Sequence, residues 1–339
     1  MTDSGSSPVG SVPNGATVLA VMGQASRAPS VHNTQPWHWV FDGTRMHLYR
    51  DNDRLLTSAD PMGRQLVISC GTMLHHVRTA FAAVGWHTDT TRLPDSGRSD
   101  YLAVIEFRPW PDPPIGILAR ARAIDHRHTD RLPFYPPTNW SQLVHTARML
   151  VTPHDLELDV LDENATAEIA ATSAQATATR RYDMPYQAEL HWWSGHSGDP
   201  EGVPREALVS DAEFARVSVG RSFPSAPHSA RRATLLEDHA RLLVLSSSSE
   251  SITTWLHTGE ALSAVLLECA ATGSATCALT HITEISATRT AITRMLAHPG
   301  VPQVVIRVGT APDEEPHPQP TPRRPLADIL TMSDEKPER

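Results

Sequence analysis

GTMLHHVRTAFAAVG (71–85) and GEALSAVLLECAATG (259–273) align without gaps at an offset of 188 residues. Gly, Leu, Val, Ala, Ala and Gly coincide at six of the fifteen positions. Each segment reads as a long apolar helix that later gives way to a buried strand, Tyr101–Phe107 after the first and Val304–Val308 after the second. Alanine-rich helices can match by chance. Glycines at both ends, with Leu and Val at the same offsets between them, favour a duplication. Self-similarity at this scale points to two fused copies of one α+β domain and not to a solenoid.

The flanking sequence follows the same grammar. Residues 16–28 carry a helical period, and Trp37–Phe41 and Met46–Tyr49 form a hairpin around the turn dipeptide Asp42-Gly43. A long helix is predicted over Pro61–Val84, with a further helix over 115–126 after the break at Pro109–Pro114. In the second part, Ala240–Leu245 is strand-like, Ile252–Thr272 and Ile285–Leu296 are helical, and 180–230 is irregular and rich in Gly, Pro and Trp. Loops that long serve as lids or binding loops. The expected division is a disordered leader at 1–15, a first half at 16–125, a second half at 126–330 with a candidate lid at 193–227, and a tail at 331–339. Pro312–Pro322 is expected to run extended over the surface.

Composition narrows the function classes. The 339 residues suffice for a sizeable core, with 40% apolar and 20% charged residues. A formal charge of −9 gives no global field toward nucleic acid or an anionic membrane. Cys70, Cys269 and Cys277 are an odd, widely spaced set, which argues for a reducing compartment and against a disulfide frame. The N-terminal stretch lacks a signal-peptide pattern, and no apolar run approaches the ~20 residues of a membrane span. A cytoplasmic protein, without membrane or nucleic-acid partners, is expected.

Two constellations could carry chemistry. In Ala28–Trp37 (APSVHNTQPW), Ser30 can open a short helical turn, Asn33 and Gln35 present amides beside it, and Pro36 sets up the strand. Such neutral groups on a rigid turn suit a planar heterocycle with carbonyl and imide edges. The plain alternative is a helix cap before a strand. In Arg127–Phe134 (RHTDRLPF), two arginines four apart with a hydroxyl between them could clamp a phosphate through bidentate guanidinium bonds. Arg323-Arg324 offers a second basic contact. Solvated surface charge is the ordinary fate of each. The pairs His75-His76 and His126/His128 lack a completing carboxylate or cysteine at metal-site spacing, and neither GxGxxG nor GxxxxGK[ST] is present.

PSxxNTQPW at 29–37 resembles the entry motif of the nitroreductase superfamily of FMN enzymes. RHTDR at 127–131 resembles its Arg-x-Ser/Thr-x-Lys/Arg phosphate-binding start, and PRRPL at 322–326 its C-terminal basic contact. Segments 63–108 and 259–309, the latter ending in HPGVPQVVIRVG, resemble the Acg-type subfamily, whose members look like a nitroreductase dimer fused in one chain. The likeness covers about 20–330 and is weakest at 180–250.

The resemblance implies a nitroreductase-like α+β fold holding FMN. Arg127, Thr129 and Arg131, with the intervening His128, would hold the phosphate, assisted by Arg323 or Arg324. Pro29, Ser30, Asn33 and Gln35 would approach the flavin from the other half. Thr276, Cys277, Ala278, Leu279 and Thr280 would lie by the isoalloxazine. Since PSxxN and RHTDR each occur once, one complete flavin site is implied, not two. A small packing role suits Cys277 better than catalysis, because no base is paired with it. The implied activity is NAD(P)H-dependent reduction of nitroaromatic or quinone-like acceptors, with no side chain named as catalytic. The alternative is a flavin-storage protein whose lid closes the site. A monomer or weak homodimer is expected, since a fused dimer already completes the site.

Overall fold

In the computed structural model the described residues are 12–195, 201–224, 230, 232, 236–312 and 319–333. The expected leader lies outside them up to residue 11, as do parts of the expected lid, the Pro-rich stretch and the tail.

The chain is α+β. Asn14 caps α1 (Gly15–Ala25) by accepting from Thr17 N at 2.8 Å. The strands β1 (Trp37–Phe41) and β2 (Met46–Arg50) form the expected hairpin. Asp42 Oδ1 accepts from Thr44 N and Arg45 N, and Gly43 takes the left-handed conformation at φ 88°. Trp37 and Trp39 alternate inward and are fully buried. Next come α2 (Arg64–Ala83), β3 (Trp86–Arg92), β4 (Tyr101–Pro109) and α3 (Ile115–Ala123). The second part runs α4 (Trp140–Val151), β5 (Leu156–Leu161), α5 (Glu163–Arg180), α6 (Met184–Trp192), α7 (Asp211–Phe214), β6 (Arg241–Ser247), α8 (Ile252–Ala271), β7 (Ala275–Leu279), α9 (Ser286–Thr293) and β8 (Val301–Gly309). The chain returns through α10 (Leu326–Ile329) to β9 (Leu330–Met332).

Two sheets result, ordered β3-β4-β2-β1-β9 and β5-β6-β8-β7. Each four-strand set is therefore ordered first, second, fourth, third, with α2 or α8 between its second and third strands, while the second set also carries α5–α7 between β5 and β6 and α9 between β7 and β8. The closing strand β9 pairs parallel to β1, so the end of the chain belongs to the first sheet and not to the second half, where the sequence placed residues up to 330. The stretch expected to be irregular from 180 is helical over Met184–Trp192, where Asp183 accepts from Tyr186 N and Pro185 occupies the first turn.

The central helices α2 and α8 cross where their glycines meet. A Cβ on Gly71 would lie 2.2 Å from Leu256 O and 2.9 Å from Gly259 Cα. One on Gly259 would lie 2.0 Å from Ile68 O and 2.7 Å from Gly71 Cα. The contacts are reciprocal at the same offset of 188 that aligns the two segments. Around the crossing, buried Glu260 of α8 accepts from Arg78 of α2 at 2.8 Å and from Arg92 of β3 at 2.6 Å. These arginines hold its carboxyl at about 2 despite full burial. One hydrophobic cluster lies between α2 and the first sheet, and another between α8 and the second.

Candidate functional site

The turn at 28–37 is clamped to α2. Val31 N donates to Ser69 Oγ at 3.1 Å, Thr72 Oγ1 to Pro29 O, and Cys70 Sγ to Pro36 O at 3.1 Å. Ser30 Oγ accepts from Gln35 N at 3.0 Å, closing the turn that its motif suggests. His32, Asn33 and Gln35 all take positive φ, at 47°, 58° and 49°. Three left-handed residues without glycine persist only where the surroundings over-determine them, as they do here.

Two adjoining cavities open beside this turn and share Pro29, Ser30, His32, Thr129 and Arg131. The first, about 910 Å³ and largely apolar, is walled by Cys277–Thr280, by Ile68, Ser69 and Thr72 of α2, and by Leu262 of α8. Segment 201–224 covers it with Val209, Phe214, Gly220, Arg221 and Phe223. The second, about 1310 Å³, is polar and basic, lined by Arg27, Arg127, His128, Thr129, Arg131 and Arg323 together with Asn33.

The basic cavity contains unbalanced charge. Arg127 Nη2 donates to Arg27 O at 3.2 Å, and its buried Nε has no partner among the described residues. Arg323 donates to the carbonyls of Ser26, Arg27, Thr321 and Pro322 at 3.0–3.1 Å. Neither guanidinium forms an ion pair with a carboxylate among the described residues. Asp125, on the cavity wall, accepts from Gln24 Nε2 at 3.0 Å. Burial, with Arg27 beside it, lowers Arg127 to about 10. Burial, with Arg127 and Arg27 beside it, lowers Arg323 to about 9. Buried cations without counter-ions are costly, and an anion placed here relieves that cost.

Most of the expected residues converge. Pro29, Ser30, Thr129 and Arg131 line both cavities; Asn33, Arg127, His128 and Arg323 line the basic one; Cys277, Ala278, Leu279 and Thr280 line the apolar one. Three are placed elsewhere. Gln35 and Arg324 bond each other, with Arg324 N donating to Gln35 Oε1 at 2.9 Å and Arg324 Nη1 to Gln35 O at 3.1 Å. Arg324 also lies 3.5 Å from Asp51, so this pair fastens the chain end to the turn and lines neither cavity. Thr276 lines neither cavity, and its carbonyl accepts from Asp130 N. Asn33 spends its amide on Gly202 O and Pro322 O, at 3.1 and 3.2 Å. Burial pushes the Cys277 thiol up, which leaves it protonated and inert at neutral pH.

The sequence reading did not assign His32, Arg221 and His281, which line the apolar cavity, or Arg27, which lines the basic one, to the site, and it placed Phe223 only in the candidate lid. His32 lies inside the 28–37 motif, Arg221 and Phe223 in the candidate lid, and Arg27 and His281 just outside the 28–37 and 276–280 segments, so their neighbourhood was the available signal. Arg221 donates to Glu284 Oε1 at 3.1 Å and to Tyr186 Oη at 2.6 Å. His32 meets Phe223 edge-on, with ring centroids 6.0 Å apart. Burial and the neighbouring arginines keep His32 far below its ordinary range, and burial with Arg221 lowers His281 to about 3. Both imidazoles are therefore neutral at physiological pH. The adjacent histidines of α2 are bonded within the protein. His75 Nδ1 and His76 Nδ1 each meet Ser263 Oγ at 2.8 Å, and no cluster of three metal-ligating side chains occurs among the described residues. Among the described residues, no helix is long and apolar enough to cross a membrane.

No family model matches the chain. It is 41% identical over 306 residues to a Mycobacterium tuberculosis protein named "Putative NAD(P)H nitroreductase acg", covering 90% of this chain and 92% of the relative. It is 42% identical over 312 residues to an uncharacterized protein of the same organism, covering 91% of each. A third Mycobacterium tuberculosis protein, also named a putative NAD(P)H nitroreductase, is 36% identical over 330 residues, covering 95% of this chain and 93% of the relative. Among solved structures, an FMN and NADPH-dependent nitroreductase from Sphigopyxis sp. strain HMH is similar at a TM-score of 0.40 with 14% identity, covering 62% of this chain and 97% of that one. A nitroreductase with bound FMN from Bacteroides fragilis reaches 0.35 with 10% identity, covering 59% and 92%. The long, well-covered matches to the mycobacterial proteins decide the assignment: the chain belongs to the nitroreductase superfamily, in its Acg-type branch, and is an α+β oxidoreductase of that kind.

Proposed function

We propose that the chain binds one FMN across the two adjoining cavities and uses NAD(P)H to reduce nitroaromatic or quinone-like acceptors. One observation carries the cofactor assignment: an apolar chamber adjoins a basic one where Arg127 and Arg323 meet no carboxylate among the described residues. A flat ring joined to a phosphate matches that succession of environments. When bound, FMN supplies the hydride and electron transfer. The protein's contribution is binding and exclusion of water. Arg127 and Arg323, with Arg131 and Thr129, would hold the phosphate. Ser30 and Thr129 line the junction, and Cys277–Thr280 would back the ring. The names of the mycobacterial and FMN-dependent relatives support this reading.

A second reading, flavin storage with little turnover, is favoured by the covering segment. Asn33 holds Gly202 O, Arg131 donates to Ala207 O at 3.1 Å, Arg54 pairs with Glu201, and Phe214 and Phe223 stand over the apolar cavity. A nicotinamide must displace this cover to stack on a ring beneath it. The visible spectrum after incubation with FMN, followed by anaerobic NADPH or NADH, tests both readings. Rapid bleaching of bound flavin supports the reductase. Bleaching by dithionite alone supports storage. Failure to retain any flavin removes both.

A further inference from the structure

We propose that Nδ1 of His281 accepts a hydrogen bond from an N–H of the heterocycle in the apolar cavity, which for oxidised flavin is the imide N3–H. The proposal rests on the flavin reading above.

His281 lines the apolar cavity just beyond the Cys277–Thr280 wall and is 4% exposed. Its Nε2 lies 2.8 Å from Ser173 Oγ, and Ser173 Oγ lies 3.0 Å from Gly220 O. A serine hydroxyl carries one hydrogen. Given to Gly220 O, that hydrogen leaves Ser173 Oγ as an acceptor, so Nε2 must carry the imidazole proton. This is the arrangement that satisfies both bonds. Nδ1 is then a bare lone pair, and it has no partner among the described residues. Because burial and Arg221 keep the ring neutral, Nδ1 stays an acceptor throughout the physiological range.

An unsatisfied acceptor in an apolar wall selects for a donor and against a carbonyl or carboxylate. The edge of an oxidised isoalloxazine presents several acceptors and a single N–H, the imide. Asn33 and Gln35, the amides that the sequence offered to the ring edge, are bonded within the protein. Gln65 Oε1 is also unpartnered on this cavity. Its Nε2 donates to Glu284 Oε1 at 3.3 Å, which holds Oε1 as a second acceptor on the same wall. The Ser173–Gly220 chain holds His281 Nδ1 in the acceptor role in the same way.

The test is the dissociation constant for FMN, read by flavin fluorescence on flavin-free protein, for the parent, His281→Leu and His281→Asn. Leucine removes the acceptor and is expected to weaken binding roughly tenfold. Asparagine loses the Ser173 contact but places Oδ1 near the Nδ1 position, so it should stay within about threefold of the parent. FMN methylated at N3 lacks the donor and should bind the parent and His281→Leu alike. Three results overturn the proposal: leucine binding FMN as tightly as the parent, asparagine as weak as leucine, or a parent that does not distinguish N3-methyl FMN from FMN. The last comparison needs no variant to fold. A parent that binds no FMN overturns the flavin reading and this proposal with it, whereas the other three leave the flavin reading standing.

Discussion

Arg127 is the residue whose surroundings are hardest to explain without a ligand. Its guanidinium is buried beside Arg27 and Arg323, and among the described residues its Nε has no partner and no carboxylate pairs with it. Arg127→Met keeps the bulk and removes the charge. Two opposite effects are expected: flavin-free protein should melt higher, by about 1 kcal/mol of stability, while FMN affinity falls at least tenfold. Calorimetry and a binding titration on the same variant check the pair. A variant that lost stability and kept its FMN affinity would place Arg127 in the framework and not in the site.

The buried histidines set the response to acid. Burial, together with neighbouring arginines and histidines, holds His32, His75 and His76 well below their ordinary 6.5. His154 is held near 4 and His281 near 3. Unfolded, each binds a proton as pH falls through about 6.5; folded, each resists until far lower, so stability falls with pH in that window. Glu260 acts in the same direction at lower pH, since its folded value of about 2 lies below the ordinary 4.5. Asp60 opposes them, because burial raises it from 3.8 to about 6 and its folded form takes up a proton first. Five histidines outweigh one aspartate. The melting temperature should therefore drop between pH 7 and pH 5, and a flat or rising profile would contradict the neutral, buried state assigned to these rings.

Among the elements, the pair α2 and α8 carries the most specific demand on sequence. Helix propensity predicts that replacing a mid-helix glycine with alanine stabilises by about 0.5–1 kcal/mol. The crossing predicts the opposite. A methyl on Gly71 would meet Leu256 O at 2.2 Å, and backbone cannot swing aside as a side chain can. Gly71→Ala and Gly259→Ala should each destabilise by roughly 1–3 kcal/mol or more through overpacking. Urea denaturation of both variants settles the sign, and equal costs at the two positions would match the reciprocal contacts. The glycines aligned in the sequence before their meeting could be known. Their coincidence was legible because it lies along one chain; its reason was not, because a crossing joins residues 188 apart.

At the scale of the molecule, the open question is whether the cover moves. Its described contacts with the rest of the chain include Asn33 to Gly202, Arg131 to Ala207, Arg54 to Glu201, Arg221 to Glu284 and Tyr186, Ser173 to Gly220, Ser218 to Asp238, and the Phe223 ring against His32 and under Arg131. Phe223→Ala removes a ring from over the apolar cavity and from under Arg131, while leaving Arg127 and Arg323 of the basic cavity untouched. We expect this variant to oxidise NADPH at least threefold faster than the parent when loaded with FMN, since each 1.36 kcal/mol of closure barrier is a factor of ten. An unchanged rate with FMN retained would mean that the cover does not limit access. The repeated strand order is the pattern a duplication would leave. The apolar cavity takes its turn at 28–37 from before α2 and its Cys277–Thr280 wall from after α8.

The sequence by itself determined the elements and the chemistry of the two motifs. Hydrophobic period, turn dipeptides and caps act over a few residues, so the hairpin at Asp42-Gly43 and the long helices α2 and α8 were readable to within three residues at either end. Pro29, Ser30 and the RHTDR stretch could be singled out because they resemble the motifs of the nitroreductase superfamily; spacing alone left a helix cap and solvated charge as plain alternatives. Only the tertiary structure decided which of those side chains remain free. Gln35 and Arg324 read as site residues until the chain end folded back along β1 and bonded them to each other. His281 carries no signal of its own in the sequence; it is α5 that brings Ser173 to its Nε2 and leaves Nδ1 without a partner among the described residues. A polar atom's availability depends on every segment that packs around it, and those segments are set by long-range contacts that local sequence does not encode.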